Sequence, residues 1–172
     1  MKNTASLKKT LLVLSPLLLF AMAPTAFASR PATVNASFTG TITPISVTSE
    51  DGNKFIVAND VGAFTGGITG TFSCLAHIVM HPDGSKEFRE KCTFTGTVTG
   101  GSGPGSAALS FVGTGAGPLF SGKSVFSHGT GGLAGIHGRG TFEGSFTSAT
   151  TAAGTSSYRI HFDTPHQSGD DN

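Results

Sequence analysis

Six histidines, two cysteines, a single tyrosine and one glutamate set among apolar neighbours are the residues of this sequence that could do chemistry. His77 and His81 are four residues apart, but on an extended strand that is two side-chain repeats, too far for shared metal ligation. His128, His137 and His161 fall near predicted strand ends. The histidines therefore read as surface residues, and no metal site is expected. Serine is so abundant that Ser/His/Asp coincidences carry no geometric weight, and no nucleophile is assigned. Gly129-x-Gly131-x-x-Ala134 has the spacing of a dinucleotide fingerprint, yet that motif works only where a strand feeds a helix. Gly135, Gly138 and Gly140 follow directly and preclude a helix, so no cofactor is expected and the segment reads as a bend between two strands.

The cysteines and the glutamate gain meaning from the ribbon that must carry them. His81-Pro82-Asp83-Gly84-Ser85 has Pro, Asp and Gly where a three-residue hairpin loop needs them. Such a loop pairs His81 with Ser85. Counting outward sets Ile78 opposite Phe88, Cys74 opposite Cys92, Phe72 opposite Phe94 and Ile68 opposite Val98, all on one face. The other face carries Thr71 opposite Thr95, Ser73 opposite Thr93 and His77 opposite Arg89. One turn assignment thus sorts both strands into an apolar and a mostly polar side. Directly opposed cysteines lie within disulfide reach, and a Cys74–Cys92 bridge is predicted, worth about 3 kcal/mol by loop-closure entropy. Two separate buried thiols are the alternative. In the same register Glu90 falls on the apolar face opposite Ala76, between Phe88 and Cys92, where an unpaired carboxylate is costly. It either lines an interior cavity with a raised pKa, binding or proton-shuttling a ligand's polar end, or reaches water at a bulge or barrel mouth. The second placement is the one expected. Tyr158 also faces inward, and its hydroxyl needs a partner if buried.

Around this hairpin, period-2 alternation recurs near residues 34–47, 54–58, 63–81, 85–99, 106–114, 122–128, 139–147 and 156–163. Gly, Thr, Ser and Val interrupt every window that could be helical. The fold class expected is all-β, a single antiparallel barrel of roughly eight strands in meander order. Glycines inside strands, at Gly40, Gly70, Gly96, Gly113 and Gly144, favour strong coiling. Phe142, Gly144 and Phe146 share a face, as do Tyr158, Ile160 and Phe162, and these two strands are expected to pair across a loop from Ser148 to Thr155.

The chain has 172 residues and fourteen phenylalanines. Lys2, Lys8 and Lys9 precede an apolar run from Leu11 to Met22 and a small-residue site at Ala26-Phe27-Ala28, so residues 1–28 read as a signal peptide cleaved after Ala28. The run is shorter than the roughly 20 residues of a membrane span. Export to the periplasm or medium, an oxidising place that suits the disulfide, is the expected address. The domain then covers 29–163, and residues 164–172, without an apolar side chain to dock, form a disordered tail. Removing the signal leaves 8 Lys+Arg against 10 Asp+Glu. The remaining cations are scattered, which argues against nucleic acid as a partner.

Gly129-Thr-Gly-Gly-Leu-Ala-Gly-Ile-His-Gly-Arg-Gly-Thr-Phe142, with Tyr158-Arg-Ile-His-Phe-Asp163 as final strand and Gly66-Gly-Ile-Thr-Gly-Thr-Phe72 upstream, resembles an uncharacterised family of small bacterial proteins grouped with the allene oxide cyclase and dirigent barrels. The resemblance implies an antiparallel barrel with an apolar interior over residues 36–163. It also implies dealings with small hydrophobic molecules. The leading functional expectation is a secreted barrel that holds a small apolar ligand, with Glu90, Phe72, Phe94 and Tyr158 as candidate ligand contacts. An isomerase or cyclase of a lipophilic substrate, and a structural or partner-binding surface protein, are the alternatives.

Overall fold

The computed structural model describes residues 30–163; the expected signal peptide and C-terminal tail lie outside the described residues. Eight antiparallel strands follow one another around a closed barrel: β1 (Ala32–Glu50), β2 (Asn53–Gly66), β3 (Ile68–Met80), β4 (Ser85–Val98), β5 (Gly105–Ala116), β6 (Leu119–Gly131), β7 (Ile136–Phe146) and β8 (Thr151–Phe162). β8 closes the ring on β1 from Ala32↔Ile160 to Thr41↔Thr151. The all-β meander expected from alternation is the fold observed. Among the described residues no helix is long and apolar enough to cross a membrane.

The β3–β4 hairpin has the register that its turn dictates. The His81 amide donates to the Ser85 carbonyl at 2.9 Å and the Gly84 amide to the His81 carbonyl at 3.0 Å. Gly84 takes the left-handed conformation, φ 82°. Asp83 fixes the corner by accepting from the Ser85 amide at 2.9 Å and hydroxyl at 2.7 Å. Outward from there run Ile78↔Phe88, Ala76↔Glu90, Cys74↔Cys92, Phe72↔Phe94 and Ile68↔Val98. The cysteine Cα atoms are 4.0 Å apart and the sulfurs are bonded. Reduction, or a Cys74→Ala/Cys92→Ala double substitution, is expected to cost about 3 kcal/mol. Urea unfolding with and without reductant reads this directly; coincident curves would mean that the bridge does not form in the purified protein.

Two boundaries differ from the sequence expectation. Asn59 and Asp60, read as a break between segments 54–58 and 63–81, lie inside β2, whose ladder to β3 runs unbroken from Lys54↔Met80 to Phe64↔Gly70. The chain reverses instead at Gly66-Gly67, where Gly66 has φ 107°. Asn and Asp favour turns only while no neighbouring strand claims their backbone, and here the ladder claims it. Similarly, β8 begins at Thr151, so the β7–β8 connection is four residues shorter than the 148–155 loop expected. Thr147, by donating to the Thr151 carbonyl at 2.8 Å, tightens that turn.

Interior glycines do more than bend the sheet. A Cβ on Gly113 would lie 2.5 Å from the Phe88 ring, on Gly144 2.7 Å from Phe120, on Gly154 2.6 Å from Phe38, and on Gly122 2.7 Å from Phe142. Each ring lies over a strand position without a side chain, which is how so many phenylalanines fit inside one narrow barrel.

The two halves of the lumen are filled differently. At the end holding the β2–β3, β4–β5 and β6–β7 connections, Phe64, Phe94, Phe126, Tyr158, Ile68, Leu109, Ile136 and Ile160 form a core of which no member is more than 2% exposed. Leu133, from the Gly-rich β6–β7 bend, is fully buried and closes that end. At the opposite end Phe38, Phe88 and Phe120 are only partly buried.

Candidate functional site

The half-buried rings mark a cavity. It measures about 60 Å³ and is walled by Phe38, Phe72, Phe88, Phe111, Phe120, Phe142 and Phe146, with Asp60, Lys86 and Glu90 as its charged residues. Alternation along β2 places Asp60 on the same inward row as Ala58 and Phe64. Along β4 the same period places Lys86, Glu90 and Phe94 inward. One strand, β3, separates the two carboxyls: Asp60 pairs with Cys74 and Glu90 with Ala76. The Cys74 and Cys92 sulfurs and a Glu90 carboxylate oxygen lie within 4.8 Å of one another. Both sulfurs are spent in the disulfide, so that trio lacks the ligand atoms a metal ion needs.

Glu90 is 8% exposed and Asp60 9%. The placement of Glu90 at a bulge or in water is thus not the one found: β4 is regular through Glu90, which pairs with Phe111 of β5 on its other side. Burial pushes the Glu90 carboxyl up to about 8, with the Asp60 charge adding to the effect. Burial alone raises Asp60 to about 6. No side chain bridges the pair, and Oδ1 of Asp60 has no hydrogen-bond partner. Near neutrality the pair therefore holds about one proton.

Lys86 stands at the cavity mouth rather than on the carboxyls. Its Nζ donates to the Gly117 carbonyl at 2.6 Å and lies 4.5 Å from the centroid of the Phe146 ring. Burial lowers its pKa. Beyond Lys86 and Phe146 the space continues into a cleft of about 270 Å³ lined by Ile42, Pro44, Ile56, Ile78 and Met80. β1 and β2 continue past the start of β8 here, Val47↔Ile56 through Glu50↔Asn53, and form a lip whose apolar members are Val47, Phe55 and Ile56. Cavity and cleft together, about 330 Å³, just exceed the ~300 Å³ at which small-molecule pockets begin.

Of the candidate contacts read from the sequence, Glu90 and Phe72 are brought together at this cavity. Phe94 and Tyr158 are not. Phe94 is fully buried in the filled half, its ring 6.1 Å from Phe64 and 5.4 Å from Phe126. Tyr158 packs on Phe126 at 5.1 Å. Burial pushes its hydroxyl up to about 12, against the pull of the Ser124 and Ser156 hydroxyls, which approach it without completing a well-formed hydrogen bond. Both residues face inward as expected, at the wrong height for the cavity. Asp60 is the functional candidate that sequence reasoning missed. At the filled end, His137 and His161 stack at 5.2 Å, and Asp163 approaches their Nε2 atoms at 2.9 and 3.7 Å. His77 is exposed on the outer face.

No family model and no curated protein matches the sequence. Solved structures do share the fold. A protein of unknown function from the DUF3224 family of Shewanella oneidensis superposes with a TM-score of 0.62 at 18% identity, over 78% of this chain and 99% of its own. A protein of unknown function from Clostridium acetobutylicum gives 0.54 at 12% identity, over 76% and 98%. At such identities the likeness establishes the barrel and nothing of its chemistry.

Proposed function

We propose that this chain is an exported barrel that binds a small, mostly apolar molecule at its hollow end. One observation carries the reading: a phenylalanine-walled cavity holds two buried carboxyls, and Oδ1 of Asp60 has no hydrogen-bond partner among the described residues. Buried polar groups in folded proteins are normally satisfied, so an orphaned carboxylate oxygen beside a second buried carboxyl, facing a void, is a place kept for something else. Export is supported by the leader-like amino terminus, and the Cys74–Cys92 bridge is compatible with an oxidising compartment.

The test uses 1-butanol, small enough for the cavity and its cleft together, followed by protein NMR. Saturable shifts confined to Phe72, Phe111 and Phe142 are expected. Ala152→Leu, which puts a larger side chain into the same cavity, is expected to abolish them while leaving the spectrum otherwise native. Unsaturable shifts spread over the surface would overturn the binding reading.

A second reading, an isomerase or cyclase of the allene oxide cyclase kind, is favoured by the unequal titration of the two carboxyls, one protonated and one ionised at pH 7. Under it, Glu90→Gln would abolish turnover of the substrate and leave butanol uptake in place.

A further inference from the structure

We propose that the molecule held at the hollow end is a small organic cation, an ammonium carried on an apolar body, with Asp60 and Glu90 as its counter-ions and phenylalanine rings as its walls. The proposal rests on the ligand-binding reading above and adds the ligand's chemical class.

The cavity's polar equipment is almost all acceptor. Ionised carboxylates offer only lone pairs, and both of these are more than nine-tenths buried with no ion pair to any Lys, Arg or His among the described residues. A ligand with several N–H donors complements them; an anion would meet at least one like charge. The walls agree, because the face of an aromatic ring carries negative potential and attracts cations. Phe72, Phe111 and Phe142 follow one another around the cavity at centroid separations of 6.3 and 5.2 Å. The protein itself shows a cation accepted here: Lys86 Nζ already rests over Phe146 at the entrance. Lys86 does not supply the missing charge: among the described residues it forms no ion pair with either carboxyl, its Nζ resting on the Gly117 carbonyl instead. Asp60 from β2 and Lys86 and Glu90 from β4 are the charged groups that face this space; β1, β3, β5, β6, β7 and β8 contribute none to its lining.

A bound cation favours the ionised form of both carboxyls. The proton held by the pair near neutrality must then leave to solvent as the ligand enters. Binding and proton release are therefore linked, and affinity rises with pH until Glu90 is ionised unaided.

The experiment is calorimetric titration of the full chain with three matched probes, n-butylammonium, 1-butanol and butyrate, repeated in buffers of different ionisation enthalpy. Butylammonium is expected to bind at least about tenfold more tightly than butanol, and butyrate more weakly than either. About one proton should be released per butylammonium at pH 7, with affinity climbing between pH 6 and 8. Glu90→Gln should remove the proton release at pH 7 and weaken the preference, which Asp60 alone then carries. The wild-type pH series needs no variant and stands if that substitution disturbs folding. Butanol binding as tightly as butylammonium, or butylammonium binding with no proton release, overturns the cation inference and leaves a binding barrel. Failure of both butanol and butylammonium to bind overturns the binding reading itself.

Discussion

Raising the pH from 4 to 9 is expected to destabilise this protein steeply, and Glu90→Gln is expected to remove most of that dependence. In the unfolded chain the Glu90 carboxyl ionises at its ordinary 4.5, whereas in the barrel it stays protonated to about 8. Between those values the native state holds more protons than the unfolded state, so each step up in pH favours unfolding. The stabilising difference is fully present below about pH 4.5 and gone above about pH 8. Over that interval the loss amounts to about 5 kcal/mol, a large share of the ~5–15 kcal/mol that holds a domain together. Asp60 acts in the same direction over a lower window, from 3.8 to about 6. Gln fills the place of Glu but cannot ionise. Urea unfolding at pH 4, 6 and 8 should find the variant close to wild type in acid and several kcal/mol more stable at pH 8. A wild-type profile that is flat or rises with pH would show that Glu90 is hydrated.

The second large effect lies at the other end of the barrel. Phe94→Ala is expected to cost about 3–5 kcal/mol, because the fully buried ring leaves a void among Phe64 and Phe126 that the closed core cannot collapse to fill. Phe120→Ala, at the half-buried rim, is expected to cost less than half as much. Butanol uptake should survive Phe94→Ala and be altered by Phe120→Ala, since only the second ring lines the cavity. Equal losses in urea unfolding would contradict a lumen packed at one end and open at the other. The same contrast separates the inward residues that build the barrel from those that face a ligand.

How much of this was legible in the sequence depended on where a local rule could anchor a register. The His81–Ser85 turn is such an anchor, and it placed Cys74, Cys92 and Glu90 on the inner face without any tertiary information. Depth was not legible in the same way. Whether Glu90 reaches water depends on Phe111 across β5 and on the rings that cover it, contacts fixed by closure of the sheet. Phe72 and Phe94 look alike along their strands, and it is the closed sheet, capped by Leu133, that packs one half solid.

Asp60 was hidden by a rule that works elsewhere. Asn59-Asp60 has turn chemistry, and reading it so interrupted the alternation of Ala58, Asp60, Gly62 and Phe64 that would have turned the carboxylate inward. The signal was present in the parity of the flanking residues. Lys86 shares the inward parity of Phe88 and Glu90 in the same manner, yet a lysine one residue beyond a turn draws no attention until the fold shows it buried. Glycine was read as a marker of curvature, whereas Gly113, Gly144 and Gly154 also clear space for rings on neighbouring strands, a relation between strands that no single segment reveals.

The account turns on a carboxyl held away from water beside a second one. Its most direct measurement is the ¹³C shift of the Glu90 side-chain carboxyl followed by NMR across pH 3 to 10. A midpoint near 8 that falls when Asp60 is replaced by Asn is the predicted result. A midpoint near 4.5, indifferent to that replacement, would contradict it.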